Sequence, residues 1–84
     1  MSLFENIINH KISTITSDEL LKYANQFQIS ITQSEASQIA AYLRSTRVNI
    51  FSDDERAKLV KEIAKIAGVN KAKEINRLFV QFTK

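Results

Sequence analysis

His10 is the one histidine in this 84-residue chain, and there is no cysteine. A zinc site of the usual kind draws on several nitrogen or sulfur ligands, so a lone histidine cannot assemble one. A general base needs only a single imidazole. The simpler reading is a surface residue near a helix C-terminus, where the dipole favours positive charge. Asp53, Asp54 and Glu55 form the one acidic cluster. Such a cluster could share a magnesium ion with a phosphate substrate. All three residues fall in the first turn of a helical segment, however, where carboxylates complement the positive end of the dipole. Walker-type phosphate loops, dinucleotide fingerprints, H-E-x-x-H zinc motifs and EF-hand loops are absent. With no nucleophile–base or metal constellation in view, the sequence predicts no enzyme, no metal and no cofactor.

Cationic side chains are the remaining chemistry. Lys58, Lys61 and Lys65 repeat along one helix face, and Lys73, Arg77 and Lys84 along the next. Phosphate contacts require side chains of this kind. If the two segments pack as an antiparallel pair, the stripes could merge into one patch. Lysine also commonly covers a solvated outer face, which is the plainer reading. No aromatic residue is interleaved with the stripes, so base stacking on a single strand has no visible platform. Leu20 to Leu43 has the outline of a helix-turn-helix. Its second helix offers Gln33, Ser37, Gln38, Ala41 and Arg44 outward, with only Arg44 basic, and its connector lacks a glycine near Gln28.

The elements that carry these residues are legible from caps and periodicity. Ser52 and Glu55 make a capping box that opens SDDERAKLVKEIAKIA, and Gly68, the only glycine, is placed to close it. Leu59, Val60, Ile63, Ile66 and Ala67 lie on one side of that helix at the helical period. Asp54 with Lys58 and Glu62 with Lys65 are spaced for surface ion pairs. Similar boxes open at Ser2/Glu5, Thr16/Glu19 and Thr32/Glu35, the last two preceded by isoleucines placed as hydrophobic staples. The first helix should fade at Ser13-Thr14 and the third near Ser45. Ile29-Ser-Ile31 reads as an extended connector, and Val48, Ile50 and Phe51 as a linker docked on the core. Asn70 is the expected N-cap of a last helix whose apolar face is Ile75, Leu78, Phe79 and Phe82.

The expected fold is all-α: a bundle of about five short helices, with no β-sheet, in a single domain over residues 1–84. Its expected core is Phe4, Ile8, Leu20, Ala24, Phe27, Ile39, Leu43, Phe51, Leu59, Ile63, Ile66, Ile75, Leu78 and Phe79. Hydrophobic content of 44% argues against disorder, and a net charge of +3 permits an anionic partner without demanding one. No stretch has the length and apolarity of a membrane span or a signal peptide, so the expected setting is the cytoplasm.

The runs DELLKYANQFQISIT, QIAAYLR, VNIF, ERAKLVKEIAKI and AKEINRLFVQFTK resemble a small family of uncharacterised proteins from bacilli, a domain of unknown function. The resemblance extends from about Ile12 to the end of the chain. It implies a bacterial cytosolic setting and a small helical domain, and brings no catalytic residue with it.

A chain this short buries only about 60–65% of its unfolded surface, and dimerisation is a common remedy for a thin core. Leu3, Ile12, Tyr42, Val69, Val80 and Phe82 are apolar residues in surplus, candidates for a contact patch. The first functional expectation is therefore an interaction module that binds itself or another protein. The second is non-sequence-specific nucleic-acid binding, with Lys58, Lys61, Lys65, Lys73 and Arg77 on phosphates.

Overall fold

Side-chain caps separate the elements of this proline-free chain. The computed structural model describes residues 3–83, which form α1 (Leu3–Ser13), α2 (Ser17–Gln26), α3 (Gln33–Thr46), α4 (Asp53–Ala67) and α5 (Val69–Phe82), with no strand among them. Ser2 lies outside the described residues, and the first capping box with it; so does Lys84. α1 ends where expected, because the Ser13 and Thr14 hydroxyls turn back and donate to the His10 carbonyl at 2.8 and 3.1 Å. At α2 the Thr16 hydroxyl accepts from the Glu19 amide and Glu19 accepts from the Thr16 amide, both at 3.1 Å. At α3, Thr32 and Glu35 repeat the arrangement at 3.0 and 2.8 Å. Each cap of this kind stabilises its helix by about 1 kcal/mol.

The α4 box closes on one side only. Ser52 Oγ accepts from the Glu55 amide at 3.3 Å, but the Glu55 carboxylate takes the Asn49 amide at 3.0 Å instead of its own N-cap. That diversion fastens the α3–α4 linker. Asn9 of α1 grips the same linker, donating to Asn49 Oδ1 at 2.8 Å and accepting from the Ile50 amide at 3.1 Å. Arg56 holds it from below, donating to the Ile50 carbonyl at 2.8 Å. Val48 and Ile50 are buried as expected, and Phe51 is half-buried.

Backbone conformation decides two further helix ends. α2 closes in a Schellman motif: the Ile29 amide donates to the Ala24 carbonyl at 2.8 Å and the Gln28 amide to Asn25 at 3.1 Å. Gln28 holds the left-handed position with φ 60°, where glycine is usual. At the other junction there is no linker. Gly68, with φ 93° and ψ 161°, ends α4 and starts α5 at once, so Asn70 is not an N-cap but lies inside α5. This backbone region is almost confined to glycine, which accounts for the one glycine in the chain.

The core is formed by Leu20 and Ala24 of α2, Ala36, Ile39, Ala40 and Leu43 of α3, Leu59 and Ile63 of α4, and Ala72, Ile75, Leu78 and Phe79 of α5. Ala36 and Ala40, without bulk beyond Cβ, bring α3 close to its neighbours. Five expected core residues stand differently. Phe4 and Phe27 are exposed, and Ile8, Phe51 and Ile66 are only half-buried. In the other direction Ile12, taken as surplus, is buried together with Ile15. The apolar stripe of α1 is wider than its contact with the bundle, and only its C-terminal part is covered. α1 is fastened there by an ion pair between Lys11 and Glu19. That hydrogen bond raises the lysine pKa, and it is the leading cause of the lowered glutamate pKa.

Candidate functional site

α4 and α5 are the most extensively packed pair in the bundle. Burial of Leu59 and Ile63 on one, and of Ala72, Ile75 and Leu78 on the other, turns the opposite faces to solvent. Lys58, Lys61, Lys65, Lys73 and Arg77 are accordingly all exposed. Lys65 pairs with Glu62 at 3.2 Å, as expected from spacing. The expected Asp54–Lys58 pair does not form; Asp53 binds Arg56 at 2.6 Å instead. Among the described residues Lys58, Lys61, Lys73 and Arg77 have no ion-pair partner.

The five cations do not converge on one concavity. Arg77 lines a groove of about 380 Å³ with Phe27, Gln28, Ile29, Glu74 and Gln81, and no residue of α4 takes part. The groove lies where the last turn of α2 meets the outer flank of α5. It contains the aromatic neighbour that the sequence did not reveal. Phe27 is 47% exposed, because the left-handed Gln28 sends Ile29 into the core and leaves the preceding side chain outside. The one legible signal was the absence of glycine at a turn that needs one.

Arg44, the basic residue of the helix-turn-helix outline, donates to the Ile15 carbonyl at 3.2 Å, and Gln33 donates to Ser17 Oγ at 3.2 Å. Both therefore serve to hold α3 against the segments before it. His10 lines a shallow polar groove with Asn6, Asn9, Ser13, Arg47 and Asn49, and among the described residues no group of three His, Cys, Asp or Glu is placed to hold a metal ion. The acidic first turn of α4 is engaged in the Asp53–Arg56 and Glu55–Asn49 contacts.

A second surface feature is apolar. Leu3, Phe4 and Ile7, on the first two turns of α1, are 75%, 55% and 58% exposed. They adjoin Ile8, which with Lys11, Ile12, Tyr23 and Phe82 lines a cleft of about 120 Å³. Inside it the Tyr23 and Phe82 rings meet edge to face, with centroids 5.8 Å apart. Of the other apolar residues taken as surplus, Val69 is exposed, whereas Tyr42, Val80 and Phe82 are half-buried.

Fold and surface together describe a small all-α protein with one apolar and one basic exposed face. The chain belongs to the family described as "Protein of unknown function (DUF2624)", whose profile matches residues 1–83. A relative from Bacillus subtilis (strain 168), described as uncharacterized protein YqfT, is 42% identical over 83 residues, covering 99% of either chain. The family is thus bacterial, and the match spans nearly the whole chain. No solved structure is significantly similar. Among the described residues no helix is long and apolar enough to cross a membrane.

Proposed function

We propose that this chain is a non-enzymatic interaction module of the bacterial cytoplasm that pairs with a second copy of itself through the first two turns of α1. The observation that carries the reading is the run of exposed Leu3, Phe4 and Ile7. Three large apolar side chains within five residues are costly to leave in water, at about 25 cal/mol per Å² of apolar surface. A two-fold arrangement suits the patch, since each stripe then meets its own copy. Lys11, at the covered end of the same helix, is paired with Glu19. The stripe amounts to a few hundred Å², against about 800 Å² per partner in a standard interface. The dimer is therefore expected to be weak, with a dissociation constant in the micromolar range or above. Sedimentation from about 10 μM to about 1 mM should show a rising average mass, and Leu3→Ser with Ile7→Ser should abolish the rise. A strict monomer throughout would count against the reading.

A second reading, nucleic-acid binding by Lys58, Lys61, Lys65, Lys73 and Arg77, is favoured by the exposure of all five on α4 and α5, four of them (Lys58, Lys61, Lys73 and Arg77) without an ion-pair partner among the described residues. Counterion release would give a log–log salt slope of about −0.9 per phosphate neutralised on duplex DNA. Replacing Lys61 and Lys65 with Gln should flatten that slope by about two units. Absence of binding to mixed-sequence DNA and RNA at about 50 mM salt, where screening is weakest, would remove it.

A further inference from the structure

We propose that the groove between the end of α2 and α5 binds a nucleotide, free or as one unit of a single strand, with its base stacked on Phe27 and its phosphate on Arg77. The proposal rests on the nucleic-acid reading above and changes its mode, from phosphate contacts alone to recognition of a base. Its first support is the position of Phe27. Helical periodicity directs this residue inward, yet it stands in the groove wall at 47% exposure. The hydrogen bonds of the Schellman turn fix the backbone on its C-terminal side, with Ile29 bonded to Ala24 at 2.8 Å. The ring is therefore presented by a rigid turn, and an exposed aromatic face is the platform on which unpaired bases stack.

The second support is the set of groups around it. A volume of about 380 Å³ falls in the range of small-molecule sites. Arg77 is exposed and forms no ion pair with Glu74 one turn away, although both line the groove. A guanidinium with no carboxylate partner among the described residues is suited to a phosphate group in bidentate geometry. Lys73, exposed four residues earlier on the same helix, extends the cationic track towards a neighbouring phosphate. Glu74 and the Gln28 and Gln81 amides supply acceptors and donors for a base edge. A carboxylate accepts hydrogen bonds only, so it selects a base edge rich in N–H. Guanine alone offers two adjacent N–H donors on its Watson–Crick edge, matching the two carboxylate oxygens. Guanine is therefore the expected base, and inorganic phosphate, which offers nothing to Phe27 and is repelled by Glu74, is expected to bind poorly.

The test is titration of the isotopically labelled full chain, followed by amide chemical shifts, with GMP, CMP, UMP, guanosine, inorganic phosphate and five-residue RNAs of single base type. GMP or the G-containing RNA should shift Phe27, Gln28, Arg77 and Gln81 saturably, ahead of the C and U counterparts. Phe27→Ala should weaken that binding by about 5- to 150-fold with an unchanged melting temperature, since the ring is half exposed. Arg77→Gln should weaken GMP but not guanosine, which lacks the phosphate. Binding of GMP and RNA with equal affinity would support a free nucleotide as the ligand; binding of RNA alone would support a strand. Binding of RNA that survives Phe27→Ala but fails with Lys61→Gln and Lys65→Gln would overturn the groove while leaving the basic-face reading in place. No shift with any ligand at millimolar concentration would overturn the groove and leave the basic face to its own test on duplex DNA.

Discussion

α1 and α5 carry apolar stripes of similar breadth, and the bundle treats them differently. On α5, Ala72, Ile75, Leu78 and Phe79 are all buried, and Phe82 is partly covered by Tyr23. On α1 only Ile12 is buried, Ile8 is half covered, and Leu3, Phe4 and Ile7 face solvent. Periodicity reports that a helix has an apolar side but not whether that chain supplies the cover. α5 finds its cover in α4 and the bundle from Ala72 onward, while Val69 beside Gly68 stays exposed. α1 lies over α3 and the α3–α4 linker, fastened by Asn9 and Lys11, and leaves Leu3, Phe4 and Ile7 at its start uncovered. The two helices are the same device in two states, one satisfied within the chain and one not.

The contrast is sharpest in the energetics of truncation. Phe79→Ala should destabilise the fold by about 3–5 kcal/mol in urea or thermal unfolding, because it leaves a cavity in a thin core. Ile12→Ala, at the covered end of the α1 stripe, should cost about 2–5 kcal/mol, whereas Ile7→Ala, five residues earlier on the same helix, should change monomer stability by less than about 0.5 kcal/mol. Equal effects at residues 7 and 12 would mean that the stripe is covered along its whole length. Thr16→Ala and Thr32→Ala should each cost about 0.5–2 kcal/mol through loss of a two-sided cap. Ser52→Ala tests the same device where the glutamate is diverted to Asn49, and should fall at the low end of that range.

Smaller effects probe the joints. Gln28→Gly should stabilise the protein by up to about 1 kcal/mol, the left-handed strain relieved outweighing the added chain entropy. Acid titration should show a shallower change. The Thr32 amide, with Lys71 at 3.7 Å as a weaker influence, holds the Glu35 carboxyl below its ordinary value of 4.5, and Lys11 and the Thr16 amide do the same to Glu19. Both groups bind protons more weakly in the folded state than in the unfolded one. Their contribution is therefore complete above about pH 4.5 and is lost as pH falls through the lower folded values. Glu19→Gln and Glu35→Gln should each make acid unfolding less steep.

What could be read from sequence divides along a physical line. Caps at Thr16 and Thr32, the α3 stripe and the centres of the α4 and α5 stripes depend on residues close in the chain, and they stand as spacing implies, whereas Val60, Ile66 and Ala67 on α4 and Phe82 on α5 are only half-buried. Glu55 was legible as a helix-start residue, but its choice of Asn49 over Ser52 depends on where the linker folds back. Phe27 was placed in the core on period alone; a left-handed Gln28 reverses the chain one residue too early for that. Phe4 and Ile12 exchanged roles because coverage of a stripe is a tertiary fact. The five cations were identified as exposed, while the aromatic beside Arg77 comes from another helix and had no sequence neighbour to signal it.

Whether α1 pairs with its own copy is decided by a concentration series of amide chemical shifts on the unmodified chain, from about 20 μM to about 2 mM. Pairing through α1 should give progressive shifts confined to Leu3–Lys11 and the adjoining Tyr23 and Phe82, with α4 and the outer flank of α5 unmoved. Shifts centred on α4, or a spectrum independent of concentration over the whole range, would contradict it.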